Sequence, residues 1–213
     1  MTQFILHYLI DDYDKTNIGS PMPKFTFGWT NTFRYKNFDL SVFINGSYGN
    51  KVYNYLSMKL THMNSPWTNQ LNAVNGRAQL VPINPNKVYE DGTMWYNDVS
   101  NVMVANPGAS IPRATINDPN DNDRISDRYI EDGSYIRLKN ISLGYTFPKK
   151  TIDKLGLSNL RIYANIQNLL TITGYDGYDP EIGASTSSVN VYGLDNGRYP
   201  SPTVYSFGLN VSF

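Results

Sequence analysis

The last eleven residues, 203–213, constrain the fold of this chain more than any other stretch. Their odd-numbered side chains are uncharged and include two phenylalanines, while the even-numbered positions include Ser206, Gly208 and Asn210. Because alternate side chains of a strand point to opposite faces, the stretch predicts a strand with one apolar and one small or polar face. A soluble sheet can show this alternation, but a strand of an outer-membrane barrel requires it, since one face meets lipid and the other a wet lumen.

The composition agrees with a tyrosine-rich sheet and excludes several kinds of site. Charged residues make up 17% of the 213 residues, below the usual quarter, whereas 17 tyrosines and 9 phenylalanines raise the aromatic content to 14%. The net charge is zero, which gives no reason to expect a nucleic acid partner. The absence of cysteine excludes disulfides and thiolate chemistry, and no apolar run approaches the roughly 18 residues of a membrane-spanning helix.

Residues near the amino terminus predict a hairpin with a two-residue turn. Apolar residues fall on odd numbers in segment 24–35 and on even numbers in segment 38–48. If Lys36–Asn37 is the turn, residues equally distant from it face each other and the two apolar faces coincide. The same register places Arg34 opposite Asp39, which predicts a cross-strand ion pair.

Three further strands are predicted, and the connections between strands alternate in length. The five predicted strands cover residues 24–35, 38–48, 135–147, 160–170 and 203–213. Roughly 85 residues separate the second strand from the third and about 30 separate the fourth from the last, whereas the other two connections are short. Outer-membrane barrels have short periplasmic turns and long external loops. The order of connections therefore predicts an all-β antiparallel meander whose carboxyl terminus lies on the periplasmic side.

Two cations interrupt the apolar alternation of the third strand. If the alternation in its second half continues backwards unbroken, Arg137 and Lys139 fall on the lipid face, where a charge near the midplane costs roughly 2–4 kcal/mol. A bulge near Asn140 would instead turn Ile136 and Leu138 outwards. The bulge is the preferred interpretation, and the alternative is that Lys139 snorkels to the membrane interface.

Five segments of the chain occur together, in one order, in a known family. They are residues 10–16 with 18–28, 35–41 with 46–49, 126–145, 160–163 with 167–169, and 177–181, of which the most specific is 126–145, SDRYIEDGSYIRLKNISLGY. This set resembles the late barrel of SusC/RagA-type TonB-dependent transporters. The resemblance covers about residues 10–213.

The resemblance implies the carboxyl-terminal end of a 22-stranded transmembrane β-barrel with long extracellular loops. Residues 24–213 would supply about five of its strands after a lead-in of residues 1–23, in which residues 1–9 match nothing expected. Such receptors also have a signal peptide, a TonB box and a plug domain, which we do not expect residues 1–213 to supply. We therefore expect a truncated chain that forms no working pore alone, because its sheet edges stay open.

The resemblance also implies partners and a location. The partners are a SusD-like surface lipoprotein, TonB acting through the missing plug region, outer membrane lipid, and a glycan or peptide substrate. The location is the outer membrane of a Gram-negative bacterium. By the same resemblance, the terminal aromatic residue Phe213 is a signal for barrel assembly.

Signals for catalysis or for metal binding are weak. His7 and His62 lie far apart without a carboxylate-rich motif, and segment 118–123 lacks the glycine and terminal glutamate of an EF-hand. The sequence contains no phosphate-binding loop and no nucleophile motif. We expect neither an enzyme nor a metal or cofactor site.

The long loops are expected to carry the binding surface. They combine aromatic rings with polar neighbours, a mixture that suits sugar or peptide contacts. The candidate residues are Trp67, Trp95 and Tyr96 in the first loop and Tyr175, Tyr178 and Asp179 in the second. Two alternatives stay open, namely that the first loop's aromatics pack the loop on itself and that the second loop holds only an Asp-Pro turn.

Two functions follow from these observations. The first is the barrel portion of a TonB-dependent importer of oligosaccharides or oligopeptides. The second is a tyrosine-rich β-sheet protein that binds through its loops, as a surface adhesin does. Apolar alternation on every predicted strand favours the first.

Overall fold

The chain divides into two units. A computed structural model describes residues 12–116, 118, 121–181 and 192–213. The loop unit consists of Met1–Asn17 with Tyr55–Tyr129, and the sheet unit consists of Ile18–Asn54 with Ile130–Phe213. Within the described residues, no helix has the length and apolarity needed to cross a bilayer.

Most of the regular structure is strand. The strands are, in chain order, β1 (Phe25–Tyr35), β2 (Phe38–Tyr48), β3 (Lys51–Asn54), β4 (Leu80–Pro82), β5 (Val102–Val104), β6 (Ile130–Asp132), β7 (Tyr135–Thr146), β8 (Asn159–Thr173), β9 (Leu194–Asp195) and β10 (Val204–Ser212). The α-helices are α1 (Tyr55–Thr61) and α2 (Lys149–Ile152). Short 3-10 turns cover Asp12–Asp14, Asn72–Gly76, Trp95–Asn97, Val99–Asn101, Asp127–Tyr129 and Asp153–Leu155.

The five long strands form one sheet in the order β1-β2-β7-β8-β10, and every neighbouring pair is antiparallel. The structure therefore confirms the all-β antiparallel meander predicted from the sequence. The sequence did not predict the short strands, which form a three-stranded sheet in the order β6-β3-β9 and a pair β4-β5. These short strands lie in the connections and organise the loops.

The first hairpin has the predicted register. Phe25 faces Tyr48 and Tyr35 faces Phe38, so Lys36 and Asn37 form the turn. Lys36 takes a left-handed φ of 54°, as a residue in a tight hairpin turn does. Both apolar faces of the hairpin coincide as a result.

The prediction that Arg34 and Asp39 form an ion pair across this hairpin was wrong, because Asp39 pairs with a different arginine. Arg34 lies opposite Asp39 in the register, as predicted. The carboxylate of Asp39, however, forms its ion pair with Arg161 of β8, at 2.6 Å. The two strands that carry this pair are separated in the sheet by β7.

One face of the sheet is predominantly apolar on all five strands. Two of its cross-strand rows are Phe33, Leu40, Leu143, Ala164 and Phe207, and then Asn31, Val42, Ile141, Ile166 and Tyr205. The side chains of this apolar face are not covered, and Phe207 is 83% exposed. The strands have 11, 11, 12, 15 and 9 residues, lengths that suit the roughly 9–11 residues of a tilted membrane-spanning strand.

The predicted bulge in β7 is present at Lys139. Phe43 of β2 faces Asn140, but the next residue, Ile44, faces Leu138, so Lys139 has no partner on β2. Beyond the bulge the alternation is reversed, since Ile136 is 48% exposed whereas Arg137 is only 3% exposed. The bulge therefore keeps the apolar face continuous and turns the cations to the opposite side.

Candidate functional site: polar sheet face and loops

The second face of the sheet is small and polar. One row across it contains Thr32, Ser41, Ser142, Asn165 and Ser206. This polar face also carries charged side chains of the long strands, of which Asp39 and Arg161 are paired with each other and Arg137 and Lys139 with the loop that follows β8. A sheet of this kind separates an apolar environment from an aqueous one.

A glycine allows one ion pair to cross a whole strand on the polar face. Arg161 donates to both carboxylate oxygens of Asp39, from Nη2 at 2.6 Å and from Nε at 3.2 Å. Gly144 of β7 faces Asp39 in the register and lies beneath the pair. A Cβ at Gly144 would lie 2.6 Å from Asp39 Oδ1 and closer still to Arg161 Nη2. The absence of a side chain at Gly144 is therefore what lets the two charges meet.

The bulge cations anchor the loop between β8 and β10. Arg137 pairs with Asp179, and it also donates from Nη1 to Glu181 at 2.6 Å and from Nε to Thr171 at 2.8 Å. Lys139 pairs with the same Glu181 oxygen at 2.8 Å. Two buried or half-buried cations are thus neutralised by two acids of one loop.

Asp179, predicted from sequence as a substrate contact, lies inside this network and is 8% exposed. Besides Arg137, its carboxylate accepts the backbone N–H of Glu181 at 2.9 Å and of Ser201 at 3.0 Å. Burial alone would raise the pKa of Asp179, but the hydrogen bonds from Arg137 and from these backbone groups hold it below its usual value. The carboxylate positions the loop.

Tyr175 is also buried, at 5% exposure, whereas Tyr178 is open. The Tyr175 hydroxyl donates to Asp195 at 2.5 Å, and burial together with this carboxylate raises the pKa of Tyr175. The Asp195 carboxylate accepts in turn from the backbone N–H of Gly197. Tyr178 is 63% exposed and is the predicted aromatic of this loop whose ring remains open to a ligand.

In the loop unit, two predicted aromatics meet and the third does not join them. Trp95 and Tyr96 contact each other edge to face, with ring centroids 5.7 Å apart. They line a cavity of about 940 Å³ together with Arg77 and Arg113. Trp67 is 92% exposed and does not line this cavity. The predicted substrate contacts at these residues stay predictions.

The segment that presents Trp95 and Tyr96 is held from its carboxyl end by Asp98. The Asp98 carboxylate accepts from Lys87 Nζ at 2.5 Å, from the Tyr89 hydroxyl at 2.8 Å and from the Ser100 backbone at 3.0 Å. The bonds from Lys87, Ser100 and Tyr89 hold the pKa of Asp98 far below its usual value. The carboxylate therefore stays charged and keeps the segment closed.

Asn101 closes the same segment from inside. Its side-chain carbonyl accepts from the Asn84 backbone at 2.7 Å, and its amide donates to the Asn84 carbonyl at 3.1 Å and to the Tyr89 hydroxyl at 3.0 Å. The side chain is buried. Every polar group of this asparagine side chain thus has a partner, which fixes both ends of segment 84–101.

A histidine–aspartate cluster in the loop unit was missed by the sequence reasoning. His62 Nε2 lies 2.9 Å from Asp118, and Nδ1 lies 3.9 Å from Asp123. Asp118 also accepts from the backbone and the side chain of Asn122. The two aspartates approach different ring nitrogens, Asp118 at hydrogen-bond distance and Asp123 farther away, so the imidazole lies between two loop residues. His62 and Asp118 are 56 residues apart, and no local motif indicates the pairing.

Taken together, these faces define a class of protein. The apolar face is uncovered on strands of membrane-spanning length, and the opposite face is polar with paired charges. This arrangement is typical of the wall of an outer-membrane β-barrel.

Comparison with known proteins finds similar TonB-dependent receptors. No family model matches the chain. TonB-dependent receptor P3 of Formosa agariphila is 35% identical over 209 residues, which cover 96% of this chain and 18% of that protein. TonB-dependent receptor SusC of Bacteroides thetaiotaomicron is 28% identical over 207 residues, which cover 96% of this chain and 16% of SusC.

A solved structure agrees in fold. The RagAB peptide importer in its closed-closed state matches 92% of this chain and 18% of its own chain with a TM-score of 0.64 at 20% identity. Over nearly its whole length the chain is therefore similar in sequence to TonB-dependent receptors that include SusC, and similar in fold to the RagAB importer, as the sequence resemblance implied. It spans less than a fifth of the length of the relatives it matches, 18% for receptor P3.

We predict that Gly144→Ala destabilises a receptor barrel that includes this chain. The added methyl group would displace the Arg161 guanidinium from Asp39, and the loss of this pair should lower the free energy of unfolding by about 1 kcal/mol. Urea unfolding followed by the heat-modifiable band on gels measures the change. Gly174→Ala is the matched control, because a Cβ there meets nothing within 4 Å. Equal midpoints for the two alanine variants would contradict the role given to Gly144.

We predict that Asp98→Ala opens segment 84–101 to proteolysis. The substitution removes the acceptor for Lys87, Tyr89 and Ser100, so chymotrypsin should cut at Tyr89, Trp95 or Tyr96 several-fold faster under native conditions. Asp91→Ala is the control, because the Asp91 carboxylate bonds only locally, to the Thr93 backbone at 2.9 Å. Similar cutting rates in the two variants would show that Asp98 does not hold the segment.

Proposed function

We propose that this chain forms part of the wall and of the external loops of a TonB-dependent importer in the outer membrane of a Gram-negative bacterium. The observation that carries the proposal is the continuous apolar face of the five-stranded sheet, backed by a polar face on which Asp39 pairs with Arg161 and Arg137 with Asp179. An importer of this kind takes up nutrients too large for passive pores. The proposed cargo is an oligosaccharide or an oligopeptide.

The sheet works in this proposal as a section of a larger closed barrel. Its two edge strands, β1 and β10, carry unpaired backbone groups along their outer sides, and such groups are costly in hydrocarbon. Neighbouring strands from the remainder of a 22-stranded barrel would cover them. The five strands of this sheet do not close into a barrel by themselves.

The proposed partners lie on the two sides of the membrane. On the outside, a SusD-like surface lipoprotein covers the loops, and the naming of SusC and of the RagAB peptide importer among the similar proteins supports this assignment. On the inside, TonB acts through a plug region. The outer membrane lipid contacts the apolar face.

Four of the six candidate contact residues keep an exposed or cavity-lining ring. Trp95 and Tyr96 line the loop cavity, and Trp67 and Tyr178 are exposed. We assign these four to substrate or lipoprotein contact, and we assign Tyr175 and Asp179 to holding the loop that presents Tyr178. Phe213, which is 93% exposed after β10, is proposed as the assembly signal of the barrel.

Exposed rings in both loops also suit a second function, attachment to a surface as an adhesin. Trp67 lies in the loop unit and is almost fully exposed. An adhesin needs such rings but does not need a lumen, an energy source or a polar sheet face. Measurements of uptake and of attachment in the same strains therefore separate the two functions.

The test of the proposed function compares growth on oligomers with growth on monomers. We expect a strain whose gene for this chain is disrupted to lose growth on the oligosaccharides or oligopeptides that the parent uses, and to keep growth on the corresponding monomers, which cross general pores. A protonophore should abolish oligomer uptake in the parent, because TonB-linked transport is energy-coupled. Unchanged oligomer uptake combined with reduced attachment to a substratum would contradict the importer and favour the adhesin.

A further inference from the structure

The cavity of the loop unit presents two arginines to one space. Arg77 and Arg113 line this cavity of about 940 Å³, and both side chains are half-buried. The volume lies at the upper end of the roughly 300–1,000 Å³ of small-molecule sites. All the residues that line it belong to the loop unit, so the site is complete within that unit.

The two arginines come from segments that are bonded side by side. Arg77 forms a parallel bridge with Ile111, and the backbone N–H of Ala78 donates to the Ile111 carbonyl at 2.8 Å. Asn106 reinforces the first segment, since its amide donates to the Arg77 carbonyl at 2.9 Å and its carbonyl oxygen accepts from the Gln79 backbone at 2.8 Å. The backbone that carries the arginines is therefore fixed before any ligand arrives.

No acidic residue of the cavity lining balances the positive charge of Arg77 and Arg113, since the described residues that line the cavity include no aspartate and no glutamate. In the described part of the chain, the ion pairs of arginine involve Arg124, Arg137 and Arg161, and neither cavity arginine has a carboxylate within 4.0 Å. Arg77 has only a long bond, 3.4 Å, from Nη1 to the Val74 carbonyl. Two half-buried guanidinium groups are thus available to an anion from outside.

Aromatic rings and amides complete the wall. Trp95 and Tyr96 stand edge to face on the 3-10 turn Trp95–Asn97, which Asp98 holds closed. Gln79 and Asn97, whose side chains end in amides, also line the cavity. A ring offers a flat apolar surface to the body of a ligand, and amides bond to its hydroxyl or peptide groups.

We propose that this cavity binds a carboxylate carried by an oligomeric ligand, with Arg77 and Arg113 on the carboxylate and Trp95 against the adjoining ring or chain. The planar fork of arginine matches a carboxylate with two parallel hydrogen bonds, which favours this anion over a neutral group. The carboxylate can come from a uronic acid of an oligosaccharide or from an acidic oligopeptide. The inference deepens the proposed import function by naming the class of cargo, but binding can be measured without transport.

The test is a titration of the full chain in detergent micelles with four ligands, followed by calorimetry and by tryptophan emission. The ligands are a uronic acid trimer, its neutral methyl ester, a triglutamate peptide and its triglutamine counterpart. We expect at least one of the two carboxylate ligands to bind at least tenfold more tightly than its neutral counterpart, and this affinity to fall as salt is raised. Whichever carboxylate ligand binds more tightly identifies the source.

Variants assign the binding to the cavity. Arg113→Gln and Arg77→Gln should each weaken carboxylate binding at least tenfold, while Arg113→Lys, which keeps the charge but not the fork, should retain part of it. Lys59→Gln removes a positive charge from the same unit outside the lining and should leave affinity unchanged. Trp95→Phe should reduce the ligand-induced change in emission.

Three results would overturn the inference: no saturable binding of either carboxylate ligand, equal affinity for the neutral counterparts, or unchanged affinity in both glutamine variants. If the purified chain binds the carboxylate ligand but disruption of its gene leaves oligomer uptake intact, the import function is contradicted and the carboxylate site is not. If oligomer uptake depends on the gene but the purified chain binds neither carboxylate ligand, the carboxylate site is contradicted and the import function is not.

Discussion

The structure depends on one constraint, that the apolar face must stay in phase across five strands. Because side chains alternate with a period of two, a slip of one residue in any strand would exchange its apolar and polar faces. The hairpin turn at Lys36 and Asn37 sets the phase of the first two strands, and cross-strand pairs carry it through β7 and β8 to β10. In β7 the sequence itself is out of phase, and the extra residue Lys139 corrects it.

The bulge that corrects the phase also joins the sheet to a loop. It turns Arg137 and Lys139 to the polar face, where buried charges need partners. Asp179 and Glu181 provide them, and Asp179 in turn holds the Ser201 backbone just before β10. A feature that keeps charge away from lipid thus also fixes the entry of the chain into its last long strand. The Asp39–Arg161 pair across Gly144 follows the same rule, since both charges lie on the polar face and neutralise each other.

The sequence was sufficient to predict those features of the fold that depend on local, periodic patterns of side chains. The hairpin register, the bulge in β7 and the sheet of five antiparallel strands follow from alternation within single strands. Contacts that join distant segments could not be predicted in this way. The Arg161 partner of Asp39 depends on strand order and on a glycine in the strand between them, and the His62–Asp118 contact joins residues 56 positions apart. Tyr175 and Asp179 resemble surface residues in sequence, but both are buried.

The most direct test of this account is a cysteine scan of residues 135–146 in a receptor barrel that includes this chain. These 213 residues contain no cysteine, so each introduced thiol is the only one in this part of the barrel. The account predicts that thiols at positions 136, 138, 141 and 143 carry probes quenched by lipid-borne nitroxides, and that positions 137, 139, 140 and 142 react with a water-soluble maleimide. Two consecutive water-accessible positions, 139 and 140, are the signature of the bulge. Unbroken alternation through position 139, or equal reactivity at all positions, would contradict the account.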